Sequence, residues 1–143
     1  MESAATHCHS RRSDAGVSTA SGSRLNARRS IVTENGQLRL ALGAPGGSTI
    51  ITTVLQILLN VLVYDMDVDA AVSAPRIHQQ WMPETVFVES WGLDTLTVEE
   101  LRRRGHDLRI RGNWGNASAI EVMPDGTLEG AADRRGEGVA VGF

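Results

Sequence analysis

An α+β fold is predicted for this chain by three features. Asn35-Gly36 stands between two apolar runs, IVT and QLRLAL, and Asn-Gly is the dipeptide that a type I′ hairpin turn prefers. The run TIITTVLQILLNVLVYD from Thr49 is apolar over most of a helical circumference. Further along, short β-like segments separated by turn residues surround one amphipathic stretch. A set of strands backed by helices forms a layered α+β domain.

Residues 1–29, MESAATHCHSRRSDAGVSTASGSRLNARR, are rich in Ser, Ala and Arg and carry almost no large apolar side chains. Too little burial is available there to offset the entropy of ordering, so residues 1–29 are expected to be a disordered or degenerate N-terminal segment ahead of a domain at 30–143. Strands are expected near 30–33 and 37–43. Ser48 stands at the N-cap position of the long helix, and Thr52, Gln56 and Asn60 fall four apart, forming one polar stripe on an otherwise buried core helix. Asp67 is placed to cap a second helix, VDAAVSA, which ends near Ala74 because Pro75 disfavours helical geometry in the residue before it. After a loop from Pro75 to Pro83, TVFVE reads as a strand, and Leu93 to Arg104 reads as a helix ended by Gly105. DLRIR, SAIEVM, TLEGAA and GVAVGF complete a meander, with Pro124-Asp125-Gly126 as one of its turns.

A length of 143 residues makes about one domain with room for a real core. A net charge of −3 gives no electrostatic reason to expect nucleic acid, and every basic residue is Arg. The single cysteine, Cys8, excludes an internal disulfide framework. No segment reaches the roughly 18 apolar residues of a membrane span, and the N-terminus has no apolar signal-peptide core, so the sequence as written reads as cytoplasmic.

The stretch LALGAPGGSTI, Leu40 to Ile50, carries the chemistry. A Walker loop needs a lysine before its Ser/Thr, and this chain has no lysine; a Rossmann turn needs GxGxxG opening a parallel unit, and that spacing is absent. Two readings remain. Adjacent glycine N–H groups at a helix N-terminus can stabilise developing negative charge as an oxyanion hole, or the glycines merely let a strand turn sharply into a helix.

The block GAPGGSTIITTVLQILLNVLVYDMDVDAAVSAPRIHQQWMPETVFVE resembles the C-terminal part of the small subunit of γ-glutamyltranspeptidase (glutathione hydrolase), and the likeness continues through GAADRR to Phe143. The resemblance implies a fragment of an N-terminal-nucleophile hydrolase αββα sandwich. It implies transfer of a γ-glutamyl group from a compound such as glutathione to water or an amine through an acyl-enzyme on a threonine freed by self-cleavage. It also implies that the N–H groups of Gly46 and Gly47 form the oxyanion hole. The family's nucleophile opens a Thr-Thr-His or Thr-Ala-His motif; here only Ala5-Thr6-His7 echoes it, so the nucleophile is absent or, by a faint alignment, Thr6. Ser30 retains a trace of the serines that grip the substrate carboxylate, while Arg28 and Arg29 depart from that motif. The resemblance implies no cofactor and no metal. It implies a partner in the missing large subunit or a self-complement, a periplasmic or extracellular place for the full-length family, and an isolated chain without activity. The alternative is a noncatalytic interaction or anion-binding α+β module.

Other candidates have simpler readings. His7-Cys8-His9 carries metal-ligand types, but three consecutive side chains on such a tail do not converge on one ion. His78 and Trp81 fall in the family's PRIHHQW-like segment, where packing and loop shaping are expected. Asp65, Asp67 and Asp69 read as caps and solvation at a helix start, since the EF-hand spacing is absent. Arg102, Arg103 and Arg104 read as a solvated helix end.

Overall fold

The computed structural model describes residues 16–18, 28–90 and 92–142. Among these residues, eight strands and three helices follow in the order β1 (Gly16–Ser18), β2 (Arg28–Glu34), β3 (Gln37–Ala44), α1 (Thr49–Leu62), α2 (Val68–Ser73), β4 (Ile77–His78), β5 (Val86–Glu89), α3 (Thr95–Arg103), β6 (Leu108–Arg111), β7 (Ser118–Val122) and β8 (Leu128–Ala132). The expected single meander is replaced by two sheets. One is five-stranded in the order β1-β2-β3-β7-β8, and the other is three-stranded in the order β4-β5-β6. The smaller sheet arises because α3 carries the chain across from β5 to β6, so these two strands pair parallel. GVAVGF forms no strand among the described residues.

The β2–β3 hairpin turns at Asn35 and Gly36, both with positive φ (51° and 79°), as a type I′ turn requires. Of residues 1–29, those described lie in strands: Gly16–Ser18 pairs antiparallel with Ile31–Thr33, and β2 begins at Arg28. Alternate residues of β3 (Leu40, Leu42, Ala44) join Val32, Ala119 and Ala131 in facing α1 and α2, which close the core with Ile50, Ile57, Val61, Val68 and Val72. Asp67 caps α2 through the N–H groups of Asp69 and Ala70, as its position predicts.

Helix α1 differs from its sequence reading in two ways. Ser48 occupies the N-cap but makes no side-chain cap bond; the neighbouring Thr49 hydroxyl instead donates to Gly46 O at 2.9 Å. The polar stripe also does not face water. The Thr52 hydroxyl meets His78 Nδ1 at 2.8 Å, Gln56 bonds both backbone groups of Ile77, and Asn60 reaches Ala71 O. These side chains pin β4 and α2 to the helix. The exposed face is apolar instead, with Ile51 71% exposed and Leu55, Leu59 and Leu62 along the same side. No helix among the described residues is long and apolar enough to cross a membrane.

Candidate oxyanion turn and its support

Strand β3 ends at Ala44, Pro45 follows, and the chain reverses into α1 through Gly46 (φ 141°) and Gly47 (φ 62°), values that favour glycine. The N–H groups of Thr49 and Ile50 turn back onto the carbonyls of Gly46 and Gly47, each at 3.3 Å. The N–H groups of Gly46 and Gly47 bond no acceptor among the described residues, and both glycines are exposed. The turn therefore offers two adjacent free donors at the positive end of a 14-residue helix, an arrangement able to stabilise an oxyanion.

Ser30 lies at the same end of the sheet, on β2 opposite Leu42, and is 6% exposed, in the layer between sheet and helices. Thr6 and the His7-Cys8-His9 run lie outside the described residues. His78 is buried, stacked on Phe87 and hydrogen-bonded to Thr52 and Gln80, whereas Trp81 stands 77% exposed at the loop tip. Asp69 pairs with Arg134, and Arg103 and Arg104 both pair with Glu100 in the exposed last turn of α3. No group of three or more His, Cys, Asp or Glu able to hold a metal occurs among the described residues.

Behind the turn is a buried ionic cluster that the sequence reading missed. Arg76 is 2% exposed and donates to Asp133 at 2.6 Å and to the carbonyls of Val72 and Trp114 at 2.9 Å each. Asp133, fully buried, also accepts from the N–H groups of Ala117 and Arg135 and from the Arg135 guanidinium. Glu89 accepts from Arg76 N, Trp114 N and Arg135. Two arginines and two carboxylates balance in charge, and each also bonds backbone partners, which is how such a cluster tolerates burial. The only sequence signal was charge in apolar company, in SAPRI and GAADRR.

Burial alone would raise the Asp133 pKa. The N–H groups of Ala117 and Arg135 and the two guanidiniums outweigh it and hold the carboxyl below the usual aspartate value. Burial lowers the pKa of Arg76 in spite of Asp133. A carboxylate whose folded pKa is depressed stabilises the fold above its unfolded value, about 4, and that contribution disappears as pH falls toward the folded value. The pH window is therefore below about 4. Urea midpoints followed from pH 7 to pH 3 should fall for the wild-type chain and fall less for Asp133→Asn, whose side chain does not titrate; parallel curves would remove Asp133 as the acid-sensitive group.

Helices on one face of an antiparallel sheet, with a donor-rich glycine turn at a strand end, match the αβ layering of the N-terminal-nucleophile hydrolases. The chain belongs to the γ-glutamyltranspeptidase family: the family model described as gamma-glutamyltranspeptidase matches residues 27–143. The glutathione hydrolase proenzyme of Escherichia coli K12 is 42% identical over 105 residues, covering 73% of this chain and 18% of that protein. The Pseudomonas aeruginosa glutathione hydrolase proenzyme is 40% identical over 116 residues, covering 78% and 20%. The solved γ-glutamyltranspeptidase of Pseudomonas nitroreducens, complexed with L-DON, superposes with a TM-score of 0.73 at 34% identity, covering 92% of this chain and 63% of that one. This chain thus spans about one-fifth of the length of the curated relatives it matches.

Proposed function

We propose that this chain supplies the oxyanion-hole part of a γ-glutamyl-transferring or glutathione-hydrolysing enzyme, with Gly46 and Gly47 as the donors. The two N–H groups at the start of α1, unpaired among the described residues, in a chain of this family, carry the reading. Acyl transfer also needs a nucleophile. In this reading the nucleophile lies outside residues 27–143, the part the family model matches, and is supplied by further chain. Substrate carboxylate contacts from Ser30 would have to come from a strand position that is buried in the present arrangement.

The apolar face of α1 supports the need for a complement. Ile51, Leu55, Leu59 and Leu62 form a continuous exposed stripe, which a stable monomer seldom leaves uncovered. The family's large subunit, with the rest of the small one, is its proposed cover, and γ-glutamyl compounds such as glutathione are the proposed substrates.

The test uses the full 143-residue chain, alone and co-expressed with the E. coli relative lacking the 105 residues that match this chain. The isolated chain should neither cleave itself, by intact mass, nor release product from a γ-glutamyl anilide, whereas the co-expressed pair should do so. Turnover by the isolated chain, lost on Thr6→Ala, would overturn this division of labour and make Thr6 the nucleophile.

A further inference from the structure

Gly115, in the loop between β6 and β7, has positive φ (74°) and lies against the oxyanion turn. A Cβ placed on Gly46 would come within 3.8 Å of Gly115 Cα, as well as within 2.6 Å of Thr49 Oγ1. A Cβ placed on Gly115 would meet Arg76 Nη1 at 3.0 Å and Thr53 Oγ1 at 3.5 Å. Gly115 is therefore wedged between the Gly46 turn, the first turns of α1 and the buried guanidinium.

Ties on both sides of Gly115 fix this loop. Trp114 is held through its carbonyl by Arg76 and through its N–H by Glu89, and three residues later Ala117 N is held by Asp133. The buried ionic cluster thus anchors a stretch of backbone whose glycine faces the turn that carries the two free donors, with room for no more than a methyl group between them. Thr53 Oγ1, buried beside Gly115 with no hydrogen-bond partner among the described residues, adds no tie of its own, so the wedge depends on backbone fit.

We infer that Gly115, held by Arg76, is a positioning residue that sets the direction of the Gly46 and Gly47 N–H bonds. This rests on the oxyanion reading of the turn. An oxyanion donor must lie within roughly 10–20° of its productive direction, and a misplacement of about 1 Å can cost on the order of 10²-fold in rate. A side chain at Gly115 would press on Arg76 and Thr53, both buried, so the strain is relieved by moving the Gly115 backbone, which faces Gly46 at the exposed turn.

The experiment measures ¹⁵N–¹H residual dipolar couplings in the full chain, since these report N–H bond direction. Gly115→Ala should reorient the Gly46 and Gly47 N–H bonds by more than about 10° while leaving those of Ala119 and Ala131 in place. Arg76→Lys keeps a charge beside Asp133 but loses the second nitrogen that holds Trp114 O. It should shrink the Gly46 and Gly47 couplings by averaging, and it carries the test should Gly115→Ala fail to fold. Unchanged couplings at both glycines in a folded variant overturn the positioning role. In the co-expressed pair, the same variant should slow acylation by about 10–100-fold without changing substrate Kd, a split that general loss of folding would not produce. Reoriented N–H bonds with unchanged acylation would leave the positioning standing and sink the oxyanion reading itself.

Discussion

Asp133→Ala is expected to cost about 3–5 kcal/mol of stability, because it breaks a buried ion pair from one side and leaves two guanidiniums and the Ala117 N–H facing an empty space. Removing both partners of a buried pair can be nearly neutral, but removing one leaves an uncompensated charge. Arg76, only 2% exposed, has no route to solvent once its carboxylate is gone. The loss is a large part of the roughly 5–15 kcal/mol that a domain has in total. Urea unfolding followed by circular dichroism gives the value, with Arg134→Ala as control. Arg134 also pairs with an aspartate, Asp69, but in the open, where such a pair contributes about 0–1 kcal/mol. Equal, small losses for both variants would show that the cluster is no more than surface-grade electrostatics.

The hairpin, the α2 cap and the existence of α1 were legible because each rests on chemistry within a few residues: Asn35-Gly36 needs only its own φ angles, and Asp67 only the N–H groups two and three residues on. What α1 faces was not legible. Thr52, Gln56 and Asn60 look like a solvent stripe on a helical wheel, yet they bond His78, Ile77 and Ala71, partners that only the tertiary fold brings near. The split into two sheets was hidden for the same reason, since the parallel pairing of Val86–Glu89 with Leu108–Arg111 spans the whole of α3.

The glycine turn was the most readable part of the candidate site, because its residue types specify its backbone. Its support was not. Arg76 and Asp133 are 57 positions apart, and neither has a local pattern that distinguishes a buried ion pair from two surface charges. Gly115 gave no signal at all, since its requirement comes from its φ of 74° and from the guanidinium of Arg76 and the side chain of Thr53.

The second large effect is expected at the turn itself. Gly46→Ala should be severe for steric reasons, since its Cβ would lie 2.6 Å from Thr49 Oγ1, so it cannot isolate the donor. Gly47 has open space around a would-be Cβ, and the cost of Gly47→Ala is confined to its φ of 62°. Gly47→Pro deletes the N–H, but proline requires φ near −65° and would rebuild the turn. The clean change is an ester in place of the Gly46–Gly47 peptide bond, introduced as glycolic acid at position 47. It removes the donor and keeps both the shape and the absence of a side chain.

Single-turnover acylation by the co-expressed pair carrying that ester tests the central claim most directly. If Gly47 N–H stabilises the oxyanion, acylation slows by on the order of 10²–10³-fold while the Kd for the γ-glutamyl substrate stays the same, because the donor acts chiefly in the transition state. Acylation at the wild-type rate, in a protein whose circular dichroism is unchanged, would contradict the claim and leave Gly46-Gly47 as a strand-to-helix turn and nothing more.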